Sequence, residues 1–141
     1  MKRLNMKHLV SLAALAVFAV LAVGSGNSSG GTKDVQSQSS AYTVTADGIY
    51  AEYKANEVAA NQKYKDQIIT VSGTIMDIGT DIAGDPYVVL GGTGFLDGVQ
   101  GSFATSESTS IAGLSKGKQA TIKGKCDGFM AMVEMSQCSL Q

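Results

Sequence analysis

The residues Lys63–Ile75, KYKDQIITVSGTI, decide the fold. After a polar lead-in, Ile69, Val71, Gly73 and Ile75 alternate with Thr70, Ser72 and Thr74. A period of two sends these sets to opposite faces of a pleated strand, one buried and one wet. Gly73 sits inside the strand, where a missing side chain weakens packing. It predicts a bend or bulge at which one long strand curls between two sheet directions.

Upstream the period is helical. Ile49, Tyr53, Asn56, Ala60 and Tyr64 recur at steps of three or four, which places them on one face of a helix over Thr45–Tyr64. Thr45 is a suitable N-cap, and Asp47 in the first turn suits the helix dipole. Asn56, on that apolar face, predicts a core amide satisfied by backbone.

Downstream, Gly79–Pro86 (GTDIAGDP) is a loop, Tyr87–Leu90 (YVVL) a short second strand, and Gly91–Gly94 a turn into a third strand, Phe95–Phe103. Thr105–Leu114 predicts a short capping helix or loop. Lys118–Cys126 is a fourth strand, turned by Asp127–Phe129 into a fifth, Met130–Leu140. Five strands with a break between the third and fourth outline a mainly β fold: a five-stranded OB-fold Greek-key barrel preceded by one amphipathic α-helix.

The chain has 141 residues, enough for one domain. Lys2, Arg3 and Lys7 precede the charge-free run Leu9–Val23, so residues 1–24 read as a secretory signal peptide. An uncleaved anchor is the alternative, although the run is shorter than the roughly 20 residues that span a bilayer. Ala22-Val23-Gly24-Ser25 resembles a lipoprotein processing box with serine at the position of the lipid-accepting cysteine. Lipid anchoring is therefore not expected. Residues 25–44, rich in Gly, Ser and Gln, predict a flexible tether reaching about 20–25 Å, and 45–141 the helix-plus-barrel domain. The implied location is the periplasm or cell surface. Membrane contact would come only through signal or tether.

Without Lys2, Arg3 and Lys7 the eleven basic residues fall to eight against twelve acidic ones, a net charge of −4. The sole histidine, His8, lies in the signal as well. Such a domain is poorly suited to polyphosphate, which needs clustered Lys and Arg. The absence of histidine excludes Ser-His and Cys-His nucleophile systems.

The segments AEYKANEVAANQKYKDQIITVSGTI, YVVLGG, GVQGSF, LSKGKQATIKGKCDGF and the terminal CSL resemble the tRNA-anti-like OB-fold group of bacterial exported proteins and lipoproteins. The resemblance covers about Ala46–Leu140. It implies the barrel architecture and no established biochemical activity. Two departures are Gly101, where members often carry a cysteine, and Ser25 at the lipidated position.

The candidate site residues divide by chemistry. By analogy with OB-folds, the second and third strands hold ligand, which nominates Tyr87 and Phe95 as contacts. Lys123 and Lys125, with Lys116 and Lys118, form the basic cluster that a nucleic-acid binder would use, but few aromatics remain for base stacking. Cys126 and Cys138 are open to two readings. An exported pair tends to oxidise, whereas a hairpin turning at Gly128 would place Cys138 about 33 Å away along an extended strand. Asp77, Asp81 and Asp85 are spaced too widely for a calcium loop and read as turn chemistry. Met76, Met130, Met132 and Met135 read as pliable core filling. No metal, cofactor or catalytic residue is expected.

The function these readings support is a non-enzymatic binding module of the cell envelope, for an oligosaccharide, a peptide or a protein. Nucleic-acid binding through the lysines is the alternative. A third possibility is an assembly role in which Tyr50 and Tyr53 dock a partner.

Overall fold

The computed structural model describes residues 34–141 except 92, 93 and 95. The expected signal, the processing box and Phe95 lie outside the described residues. Structure begins before residue 45. A single 3-10 turn at Val35–Ser37 is capped by Asp34 and buries Val35. Strand β1 (Tyr42–Thr45) follows and pairs in parallel with Ile69–Ser72 of β2 (Ile68–Thr80). The part of the expected tether from Asp34 onward is thus folded onto the barrel. Val35 and the short alternation of Tyr42 and Val44 are its marks in the sequence, too brief for periodicity to register.

The expected single helix is two, α1 (Ala46–Ala55) and α2 (Glu57–Tyr64). Asn56 breaks them. It adopts an extended backbone (φ −160°, ψ 94°), and its side-chain oxygen accepts the Ala59 N–H at 3.1 Å. A short amide side chain offers the backbone an alternative to continuing the helix, which is why Asn caps better than it propagates. Asn56 is therefore an exposed cap and not a core group. The other four residues of the face, Ile49, Tyr53, Ala60 and Tyr64, are all buried.

Strand β2 performs the predicted curl. Ile68–Thr74 pair antiparallel with β5 (Gln119–Met130), and Ile75–Thr80 with β3 (Pro86–Leu90). The irregularity falls between Ile75 and Asp77, not at Gly73. Gly73 serves close approach instead: a Cβ there would sit 3.0 Å from the Ala46 Cβ and 3.2 Å from the Gly91 nitrogen. β4 (Val99–Phe103) pairs antiparallel with β3 and in parallel with β6 (Met132–Leu140), and β6 pairs antiparallel with β5. The order β2-β3-β4-β6-β5 closes through β2–β5, while β1 flanks β2. α3 (Ser108–Ala112) lies in the break between β4 and β5 and buries Ile111. This is the Greek-key topology of an OB-fold.

The hairpin between β5 and β6 does not turn at Asp127–Phe129. β5 runs on to Met130, absorbing an irregularity near Asp127, and the chain turns at Ala131 in the left-handed region (φ 67°). Cys126 therefore lies mid-strand opposite Met135, and Cys138 pairs across from Phe103. Both are buried free thiols.

The core is the barrel interior together with the underside of the helices. Tyr53 stacks on Phe129 with ring centroids 5.6 Å apart, and its hydroxyl lies 3.5 Å from the Cys126 sulfur. Tyr64 meets Tyr42 edge-on and donates to Glu52 at 2.8 Å, while Lys63 sits over its ring. A Tyr53 that plugs the barrel is not available to dock a partner. Tyr50 is half-buried and donates to Asp97 at 2.9 Å, tying α1 to the β3–β4 loop.

A candidate ligand-binding groove on the outer face of β2, β3 and β4

Alternation along β3 turns Val88 and Leu90 into the core and leaves Tyr87 and Val89 outward. On β4 it turns Val99 and Gly101 inward and Gln100 outward. These outward side chains floor a groove of about 530 Å³, whose other lining residues include the apolar Met76, Leu96 and Met132 and the charged Asp77 and Lys116.

Tyr87 is placed by a glycine. It pairs directly with Gly79 of β2, and a Cβ at Gly79 would lie 2.5 Å from the Tyr87 hydroxyl oxygen and 2.7 Å from the adjoining ring carbon. The bare backbone lets the ring lie across the neighbouring strand, an arrangement that covers a strand glycine with an aromatic. The hydroxyl is fixed as well, donating to Asp77 Oδ2 at 3.2 Å. Lys116 Nζ holds the other carboxylate oxygen at 2.5 Å. The Lys116 ammonium keeps the Asp77 carboxyl below its usual range, and the Asp77 charge pushes the Tyr87 phenol up. Tyr87 is thus a protonated, oriented aromatic platform.

The register continues the row of the floor beyond the groove, onto β6 and β5. Asp77 pairs with Val89, Val89 with Gln100, Gln100 with Glu134, and Glu134 with Gly128. Glu134 is partly buried. Burial, and then the Asp127 charge, raise its pKa.

The structure separates the nominated residues. Tyr87 floors the groove. Lys123 and Lys125 are on β5, opposite Thr70 and Ile68 in the half of β2 that turns away from β3. Lys123 donates to the Gln36 carbonyl at 3.0 Å, and Lys125 pairs with Asp66 at 3.4 Å and Asp127 at 3.6 Å. Cys126 and Cys138 are inside the barrel. Burial pushes the Cys138 thiol up to about 12 and also raises Cys126, so both stay protonated. Asp81 does form a turn, its side chain accepting the Ala83 and Asp85 N–H groups at 2.8 and 3.0 Å.

The reading of methionines as core filler holds for Met135 but not for Met76 and Met132, which line the groove, nor for Met130, which is exposed. Of the groove residues the sequence left unassigned, Gln100 carried one signal: it is the polar position in the alternation of VQGSF. Among the described residues no helix is long and apolar enough to cross a membrane, and no three metal-binding side chains cluster.

A closed barrel in the order β2-β3-β4-β6-β5 is an OB-fold. The chain belongs to the tRNA_anti-like family, whose profile matches residues 1–139. Among solved structures it is similar to a presumed nucleic acid-binding lipoprotein from Klebsiella pneumoniae subsp. pneumoniae. The two are 20% identical with a TM-score of 0.57, over 70% of this chain and 90% of that one. It also matches the Stn1-Ten1 complex of S. pombe at 20% identity and a TM-score of 0.41, over 52% of this chain and 57% of that one. No curated protein matches the chain.

Proposed function

We propose that the protein is an exported, non-enzymatic binding module of the bacterial envelope and that it holds its ligand in the groove over β2, β3 and β4. One observation carries this reading: Tyr87 lies over Gly79 with its hydroxyl pinned by the Asp77–Lys116 pair, in a groove with apolar lining residues. An aromatic ring fixed at one polar tip offers contact area at little entropic cost, which is what a recognition surface needs. The lipoprotein kinship of the Klebsiella structure and the basic, apolar start of the chain support export. Ser25 speaks for release over lipid anchoring.

Nucleic-acid binding is the second reading, favoured by the likeness in fold to that presumed nucleic acid-binding lipoprotein. Lys118, Lys123 and Lys125 would have to carry it, and two of the three are engaged within the fold.

Backbone-amide NMR of the labelled protein separates the two. Peptide or oligosaccharide pools should shift Tyr87, Val89 and Gln100, and Tyr87→Ala should weaken binding about tenfold or more. Shifts confined to Lys118, Lys123 and Lys125 with oligothymidine, fading steeply as salt rises, would replace this reading with the second.

A further inference from the structure

We infer that the groove takes an extended peptide carrying a basic side chain, with Glu134 as the receiving carboxylate; this rests on the groove being the binding site. The row Asp77–Val89–Gln100–Glu134 has a carboxylate at each end, three strand spacings or roughly 14 Å apart, with Glu134 one strand beyond Gln100 and outside the residues that line the groove. The two ends differ. Asp77 is satisfied by Lys116 and Tyr87. Glu134 has neither hydrogen-bond nor ion-pair partner among the described residues. The charge that acts on it is Asp127, which repels it, and the nearby ammonium of Lys125 is drawn to Asp127 and Asp66.

A partly buried carboxylate with no counter-ion is a standing cost that an arriving cation removes. Polyanions meet the opposite situation, because the unpaired charge beside the floor is negative. An uncharged glycan would leave Glu134 uncompensated. The apolar lining narrows the choice further. Met76, Leu96 and Met132 offer flexible, polarisable surface that adapts to aliphatic side chains flanking the basic one. From the floor at Gln100 to Glu134 is a single strand step of about 4.8 Å, within the reach of a lysine or arginine stem.

Panning a random dodecapeptide phage library against the full-length protein, Glu134→Gln and Tyr87→Ala tests this. Wild type should enrich peptides with Lys or Arg flanked by apolar residues. Synthetic versions with the basic residue changed to glutamine should bind about tenfold more weakly. Glu134→Gln should lose the basic bias, Glu134→Asp should keep part of it, and Tyr87→Ala should lose the pool. If wild type enriches peptides without basic bias, or Glu134→Gln leaves the bias intact, the cation inference falls. The groove would survive that result provided Tyr87→Ala still abolishes binding. Peptides indifferent to Tyr87→Ala would remove the groove reading as well. An empty pool, together with oligothymidine binding that needs Tyr87, would give the groove to nucleic acid and overturn the peptide class.

Discussion

At the scale of single residues, the absence of a side chain does as much as its presence. Gly124 faces the barrel interior where β5 and β6 crowd together. A Cβ there would stand 2.6 Å from the Cys138 sulfur and 2.9 Å from the Ser136 carbonyl oxygen. Both distances are shorter than real Cβ contacts, and the Ser136 oxygen belongs to the paired backbone of β6. Gly124→Ala should therefore destabilise the protein by about 1–3 kcal/mol, read as a lower denaturation midpoint at unchanged slope. Gly79 is the functional counterpart, since its bareness seats the Tyr87 ring. The sequence marks Gly73 as the special glycine because it interrupts the most regular strand. The sharper steric demands at Gly79, Gly101 and Gly124 come from partners distant in the chain, and alternation alone cannot register them.

Two carboxyls respond to pH in opposite senses. Glu134 binds its proton more tightly when folded, so its contribution is favourable below its unfolded range and is lost as pH rises through the raised folded value. Asp77, held down by Lys116, contributes above its unfolded range and loses that contribution as pH falls through the lowered value. Glu134→Gln should make the protein more stable at neutral pH than wild type and cancel its share of the decline as pH rises above the unfolded carboxyl range. Denaturation midpoints from about pH 3 to about pH 8 would show this.

At the scale of elements, the strands were legible and their ends were not. Alternation is local, so β2, β3 and the cores of β5 and β6 can be read from residue type alone. Boundaries depend on what the backbone meets. β5 continues past Asp127-Gly128 because β6 is there to pair with it, and the turn falls on Ala131 at a positive φ that no residue preference announces. The break between α1 and α2 is the reverse case: Asn56 is a good cap in any sequence, but on an apolar helical face it looks like a buried polar group. Its worth as a cap can be measured. Asn56→Ala removes the acceptor for the Ala59 N–H and should cost about 1 kcal/mol; a change near zero would show that the helices are set by Tyr53 and Tyr64 packing alone.

For the whole molecule, topology followed from counting strands and finding the interruption before the fourth. The groove was half legible. Tyr87 could be nominated by fold analogy, but the pairing of Asp77 with Lys116 joins residues about forty positions apart in sequence, and the quartet running from Asp77 to Glu134 crosses four strands. The basic cluster misled for the same reason. Lys123 and Lys125 look free in sequence, yet one is bonded to the Gln36 carbonyl and the other to Asp66 and Asp127. Part of the positive charge available to a phosphate chain is thus spent inside the fold.

The position of β6 between β4 and β5 also constrains how the molecule comes into being. It follows every other strand in the chain, so during vectorial emergence the cylinder stays slit open until its final staves arrive. Until then β4 and β5 each present a raw hydrogen-bonding margin, an invitation to stray pairing between nascent copies. A chaperone that holds the chain before residue 132 is reached would guard the moment of greatest vulnerability.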